Sequence, residues 1–404
     1  MKKEPSEIFI QDYDYELPPE QIAAFPLRER DNSKLLVYEK GVIKDEIFRN
    51  LPFLLPQNTT MVLNNTRVIE ARIFFQKQTG AYIEIFCLEP YFPDNISEAM
   101  IQAEKVQWRC LIGGASKWKK GQLLHKEMVV HNKSVVLTAR YIQKIIDSFI
   151  IEFSWNSSFP FEEILQAAGS IPLPPYIKRE ADAMDAERYQ TVFARHKGSV
   201  AAPTAALHFT AGVFQQLTQK NIQLHYITLH VGAGTFKPVK SETISGHSMH
   251  AEMFSVSRKV LKNLMTAESI IAVGTTTLRT LESLHWLGVK LLIFNNALFT
   301  LEQWEAYRLA EYNISYYQSL KALLRYLEET NAEELRCKTS LIIIPGYQFF
   351  SARVLITNFH QPRSTLLLLV AAFIGDDWRN VYAHALKNGY RFLSYGDSSL
   401  LWRD

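Results

Sequence analysis

The chain reads as an α/β protein in which a large mixed-sheet α/β domain carries an inserted small antiparallel β-barrel domain. Three observations predict this. The chain has 404 residues, more than a single core usually serves. Residues 71–155 hold a run of short β-rich segments separated by turn residues, with no helical stretch. From about residue 160, apolar strands lead repeatedly into polar turns and then helices, the alternation of a mixed or mostly parallel sheet covered by helices. The expected division is 1–70 with 156–404 for the large α/β domain, 71–155 for the β-barrel, and a helical insertion near 286–340.

Taken in order, "KLLVYE" (34–39) is a strand, and "GVIKDEIF" continues it after a turn. "TMVLNNTRVIEAR" (60–72) runs an apolar strand into an Asn-Asn turn and out into another strand. The barrel strands are "ARIFFQKQ", "AYIEIFCLEP", "VQWRCLIGG", "QLLHKEMVVH", "SVVLTARYI" and "SFIIEFSW". "PFEEILQAAG" is helical and stops at Gly169, whereas the prolines of "SIPLPPYI" forbid a helix. "AERYQTVFAR" (186–195) returns to helical spacing. Thr210 caps a helix over "AGVFQQLTQK" that Asn221 ends. "IQLHYITLHV" is a strand. "SIIAV" passes through "GTTT" to the helix "LRTLESLHWLG", and "RVLITNF" passes through "HQPRST" to the helix "LLLLVAAFIG". Residues 301–335 have apolar positions at helical spacing, and their aromatics are expected to pack on the core.

Composition excludes several classes. A hydrophobic share of 47% and a charged share of 21% are ordinary for a globular chain. The net charge of +3 is far from that of a non-specific nucleic-acid coat. The clusters "LRER", "KWKK" and "RHK" each read as a solvated face. The longest apolar run, "LLLLVAAFI" (366–374), is about half of a membrane span, so no membrane partner is expected. Three widely spaced cysteines, Cys87, Cys110 and Cys337, suit a reducing cytoplasm, and the first residues lack a signal-peptide core. No long exposed heptad pattern suggests a coiled-coil dimer, so a monomer is the expectation.

Chemistry concentrates in four turns: "GSVAAPTA" (198–205), "HVGAGTFKPV" (230–239), "VGTTTLRT" (273–280) and "NFHQPRST" (358–365). In open α/β sheets such turns gather beyond the carboxyl ends of the strands, where ligands bind. Ala202, Pro203, Gly232 and Gly234 let backbone approach a ligand closely. The hydroxyls of Thr204, Thr235, Thr275, Thr276 and Ser364 sit at turns or helix starts, where the helix dipole favours an anion by about 0.3–1 kcal/mol. Arg279 and Arg363 lie just inside two of these helices and are expected to share a rim. His208 and His230 are candidate general bases. "GHSMHAE" offers His247, His250 and Glu252, but it lacks the i, i+4 histidine pair of a metalloprotease helix, and no metal is expected. A dinucleotide fingerprint, a phosphate loop and a nucleophile elbow are all absent from the sequence.

The blocks "DYDYELPPEQIAAFPLRERDNSKLLVY", "NNTRVIEAR", "IPLPPYI", "ERYQTVFA", "GSVAAPTAALHFT", "LHVGAGTFKPV", "HSMHAE", "AVGTTTLRTLES", "PGYQF", "TNFHQPRSTLLLLVAAF" and "YRFLSYGDSSLL" follow one another from about residue 12 onward. Together they resemble the S-adenosylmethionine:tRNA ribosyltransferase-isomerases of queuosine biosynthesis. The resemblance implies transfer and isomerisation of the ribosyl part of S-adenosylmethionine onto 7-aminomethyl-7-deazaguanine in a tRNA anticodon. The products would be epoxyqueuosine-tRNA, adenine and methionine. It implies tRNA and S-adenosylmethionine as partners, the latter a co-substrate, with no cofactor. His208, His230, His250 and Glu252 would carry protons. Arg67, Thr210, Arg279, His360 and Arg363 would join the turn residues above in holding substrate, with 198–207 as a cradle for adenosine or the flipped-out base. The chain departs from the family's pattern at Ala206 (usually glycine), at Glu70 (usually proline) and near 286–340. These departures leave a rival reading, a non-catalytic or altered-substrate RNA-binding paralogue. A metal-dependent hydrolase using "HSMHAE" is a further alternative.

Overall fold

The computed structural model describes residues 4–232, 234, 238–295 and 298–403. Ten strands form its large sheet. Four lie parallel and side by side, in the spatial order Gln223–Leu229, Thr60–Asn64, Ile270–Val273 and Val354–Asn358. The last three are buried along their whole length, as strands covered on both faces must be, and their near-continuous apolar sequences follow from that. After Thr60–Asn64 the chain adds Gln223–Leu229 on one side and later Ile270–Val273 on the other. This reversal leaves a crevice at the carboxyl ends of the strands.

Beyond the parallel block, Ser398–Trp402 runs antiparallel to Val354–Asn358 and parallel to Lys34–Glu39. A late strand therefore fills the interior of the sheet next to an early one, and Val42–Ile47 forms the edge. The opposite edge is built from Glu252–Ser257, Glu334–Thr339 and Thr300–Leu301. The helix Thr275–Phe294 is buried over most of its circumference. Gly288 sits where it meets the helix Tyr316–Glu329, and a Cβ there would fall 2.2 Å from the Ser319 carbonyl oxygen. The helical insertion expected near 286–340 holds both helix and strand. Residues 286–294 finish a helix begun at Thr275, and Glu334–Thr339 is a strand of the main sheet. Of the segment's aromatics, Trp304, Tyr307, Tyr316 and Tyr326 pack against the main core as expected, beside the buried Leu320, Leu323 and Leu327, whereas Tyr312 and Tyr317 are exposed.

The second sheet has seven antiparallel strands: Gly169–Ser170, Arg72–Gln76, Tyr82–Phe92, Lys105–Gly113, Ser148–Trp155, Lys133–Ile145 and Leu123–Val130. All the segments anticipated within 71–155 are strands, and alternate residues such as Ile83, Ile85 and Cys87 fill a core of their own. The sheet curls until the Lys126 ammonium donates to the Phe74 carbonyl at 3.1 Å. Among the described residues no ladder joins its two edges, so it is an open curled sheet rather than a closed barrel. A short helix, Ile96–Met100, also interrupts it. Gly169 leads back to the large sheet past Glu70, whose carbonyl oxygen lies 1.8 Å from where a Cβ on that glycine would be.

Two helix boundaries differ from the sequence pattern. Thr210 does cap Ala211–Gln219, accepting from the Val213 amide at 3.3 Å, and Asn221 follows in a left-handed conformation (φ 58°). The helix expected over 186–195 instead spans Ala183–Arg188. Beyond it Tyr189 turns into the interior against Tyr395, which draws the chain off the helical path.

Candidate functional site

A pocket opens beyond the carboxyl ends of Gln223–Leu229, Ile270–Val273 and Val354–Asn358. Counting its open mouth, the void is ≈ 700 Å³. Ala201 to Ala205 form one wall, Gly274 to Thr276 the second, and Thr357 to Gln361 with Ser364 the third; Val231, Tyr176 and Ser394 complete it.

Each wall has a local cause. Gly274 takes φ 93° and ψ 146°, a conformation that glycine adopts without strain, and its amide donates to the Ile356 carbonyl at 2.7 Å. The turn delivers Thr275 as the first residue of its helix, facing the void. Ser364 caps the helix Thr365–Ile374 by accepting from the Leu367 amide at 3.2 Å. Two helix N-termini thus face one pocket, a setting that favours negative charge or an electron-rich ligand edge. On the small-residue wall, Thr204–Ala206 is a turn of 3-10 helix. Ala206 has no positive φ, so alanine fits where the family pattern has glycine.

Three polar residues at the end of Val354–Asn358 organise the floor. The Asn358 amide donates to the Leu393 carbonyl at 2.9 Å and the Ser394 carbonyl at 3.3 Å. Its oxygen therefore faces His208, whose Nε2–H donates to it at 3.2 Å. Burial pulls the His208 imidazole down to about 4, against the opposing pull of Asp397. His360 shares a hydrogen bond with the Thr357 hydroxyl at 3.0 Å, and burial pulls its imidazole down to about 3. Both rings are neutral at physiological pH and keep a lone pair on one nitrogen.

Ala202, Pro203, Thr204, Thr275, Thr276, His360 and Ser364 line the pocket together, and His208 stands one layer behind it through Asn358. A second group lies against the loop that follows Leu229. The Glu252 carboxylate is buried, accepts from the Gly232 amide at 2.9 Å and pairs with the Arg279 guanidinium. Burial pulls Arg279 down to about 10, which leaves it charged at neutral pH opposite Glu252. His230 shares a hydrogen bond with Thr66 at 3.0 Å, and burial brings it to about 4. Its ring lies 2.9 Å from where a Cβ on Gly198 would be.

The remaining expected residues are elsewhere. Arg363 does not share a rim with Arg279. Its left-handed backbone (φ 55°) turns the side chain out to Asp14, whereas Arg279 is held inside by Glu252. Thr210 donates to Asp31 at 2.9 Å in a separate groove. Arg67 is exposed on Thr66–Val68. His250 is exposed beside Gly234, and Thr235 lies outside the described residues. Because Glu252 turns inward while His250 faces solvent, "HSMHAE" does not converge, and among the described residues no group of three or more His, Cys, Asp or Glu side chains is placed to hold a metal ion. Tyr176 and Ser394 belong to the pocket but to none of the four turns read from the sequence, and Asn358 opens the turn 358–365 without being picked out as a site residue. The one signal for Asn358 was a polar pair, Thr-Asn, ending an otherwise apolar strand.

Residues 10–401 match the family model described as queuosine biosynthesis protein. The S-adenosylmethionine:tRNA ribosyltransferase-isomerase of Halothermothrix orenii is 36% identical over 400 residues, covering 97% of this chain and 99% of the relative. The protein of the same name from Thermotoga maritima is 37% identical over 399 residues, with coverage of 97% and 99%. A crystal structure of S-adenosylmethionine tRNA ribosyltransferase from Thermotoga maritima is 28% identical, covers 96% of this chain and 99% of that chain, and superposes with a TM-score of 0.45.

Proposed function

This chain belongs to the queuosine biosynthesis protein family, and from that premise we propose that its pocket transfers the ribosyl group of S-adenosylmethionine to 7-aminomethyl-7-deazaguanine in the anticodon of a tRNA and isomerises it to epoxyqueuosine, with loss of adenine and methionine. The protein is an enzyme, an S-adenosylmethionine:tRNA ribosyltransferase-isomerase in kind. The observation that carries the detailed reading is a pocket walled by Ala201 to Ala205 and two helix N-termini, lined by a neutral, part-buried His360 and backed, one layer behind through Asn358, by a neutral, buried His208.

The chemistry asks for such a site. A sulfonium acidifies the hydrogens on the adjacent ribose carbon, and a neutral base must take one. Adenine then leaves with its electron pair stabilised, and the aminomethyl nitrogen of the tRNA base attacks after losing a proton. A ribose oxygen then displaces methionine, which leaves as a neutral thioether with the C–S electron pair as the epoxide closes. The proton taken from the ribose carbon is returned to adenine and the one lost by the amine balances the sulfonium charge, so no oxidant or reductant is needed. The alanine wall takes the flat adenosine closely, and the helix N-termini face the negative charge that develops. His360, uncharged at pH 7, accepts a proton at the pocket, and His208 holds Asn358 from the layer behind. His230 and His250 serve as further carriers toward the loop that follows Leu229. Glu252 acts through Gly232 and Arg279, as a positioning residue. The target base must leave its stack to enter.

Purified protein incubated with S-adenosylmethionine and precursor tRNA should release adenine in step with the mass gain of the tRNA. His360→Ala should slow turnover on the order of 10²–10⁴-fold, the usual worth of a proton carrier, and His208→Ala, which acts through Asn358, should slow it less. Tight tRNA binding with no adenine released would overturn this reading in favour of a non-catalytic RNA-binding protein.

A further inference from the structure

Resting on that reading, we infer that the two-stranded ribbon Thr66–Val68 with His196–Ser199 is the rail along which the tRNA backbone lies while its base enters the pocket. The strands run parallel, with Lys197 opposite Arg67. The inner side of the ribbon is spent on the site: Thr66 bonds His230, and the Ser199 hydroxyl accepts from the Val231 amide at 2.8 Å. The outer side carries charge. Arg67, Arg195 and His196 are exposed, and neither arginine has an ion pair among the described residues. Lys197 has only a part-exposed partner, Glu162, at 3.6 Å. Lys178 is also exposed and without an ion pair, and it follows Ile177, which packs with Val68 and the pocket residue Ala202 in one cluster.

Placement and spacing point to a polyanion. The chain passes from Lys197 to the pocket wall at Ala202, a reach of at most about 18 Å even if fully extended. Phosphates flanking a flipped nucleotide fall within that reach, and contacts of this kind set register without reading sequence. The rival basic surface is the groove around Arg28, Arg30, Arg49 and Arg188. There Arg49 pairs with Glu29 and Asp31, and Arg30 and Arg188 are tied to backbone carbonyls. Glu187 lines the same groove, so it presents little uncommitted charge.

The test is precursor-tRNA binding by fluorescence anisotropy from 50 to 200 mM salt, with S-adenosylmethionine binding measured in parallel by calorimetry. The pair Arg67→Gln with Arg195→Gln should weaken tRNA binding at least tenfold and flatten the slope of log affinity against log salt by about 1.5, as loss of two phosphate contacts requires. S-adenosylmethionine should bind as before, and Arg28→Gln with Arg49→Gln should change little. Should the double variant fail to fold, Arg195→Gln alone should show half the slope change. Unchanged affinity and slope in the ribbon variants, or a larger loss in the groove variant, overturns the rail while leaving the function intact. Wild-type protein that binds no tRNA overturns the function and the rail together.

Discussion

Asn358 shows how one residue decides what its neighbours can do. It ends a strand that is apolar up to Thr357, and its two amide hydrogens are committed to the Leu393 and Ser394 carbonyls. Only its oxygen is left for His208, which fixes the tautomer of that ring with hydrogen on Nε2. Asn358→Ala should cost about 1–3 kcal/mol, because buried carbonyls lose their donor. Urea unfolding would read that cost. Turnover should fall more than KM rises, since the pocket walls remain while His208 loses its anchor. A fall in affinity alone would mean that Asn358 serves only the packing of the 393–394 loop. This level of detail was not legible in the sequence. Histidine and asparagine announce hydrogen bonding, but 150 residues separate the partners. Arg363 misled for a related reason: a left-handed backbone at a non-glycine residue leaves no mark in composition, and it reversed the direction of the side chain.

At the scale of elements, the loop after Leu229 and the helix Thr275–Phe294 are joined by one buried ion pair. Glu252 accepts from Gly232 and pairs with Arg279, one turn into that helix. A buried pair contributes little net stability, but a single survivor is costly. Glu252→Ala should therefore destabilise by roughly 3–5 kcal/mol. The double replacement Glu252→Gln with Arg279→Met should recover most of that loss in urea unfolding. Activity should stay low in the double variant, because the charged link between the Gly232 loop and the helix is gone; full activity there would show that the pair is only structural. Strand and helix identities were far more readable. Alternation within 71–155 and the strand–turn–helix runs at 269–288 and 353–375 are period effects that each segment carries by itself. Sheet closure is not local, which is why six strands looked like a barrel and stand as an open sheet.

For the molecule as a whole, four imidazoles, two buried (His208 and His285) and two part-buried (His230 and His360), make stability depend on acid. His208 and His230 are brought by burial to about 4, and His285 and His360 to about 3. An unfolded chain titrates its histidines near 6.5. Above that pH both states are neutral and the native state keeps its full advantage. As pH falls through 6.5 the unfolded chain takes up protons that the native chain refuses until about 4 or 3, so stability declines across that window. Each such histidine should remove about 2 kcal/mol between pH 7 and pH 5. His285 stacks on Phe350 with ring centroids 4.0 Å apart, away from the pocket lining, so His285→Gln should shrink the loss in urea midpoint between those pH values without altering adenine release at pH 7. An undiminished loss would assign the acid sensitivity to other groups.

The placing of Ser398–Trp402 inside the large sheet bears on how the protein is born. Lys34–Glu39 and Val354–Asn358 have no ladder between them until that strand arrives. During translation, two apolar edges must wait for a segment that leaves the ribosome after both of them. Nascent chains stalled shortly before it would be natural clients for chaperones and proteases, a quality check written into strand order.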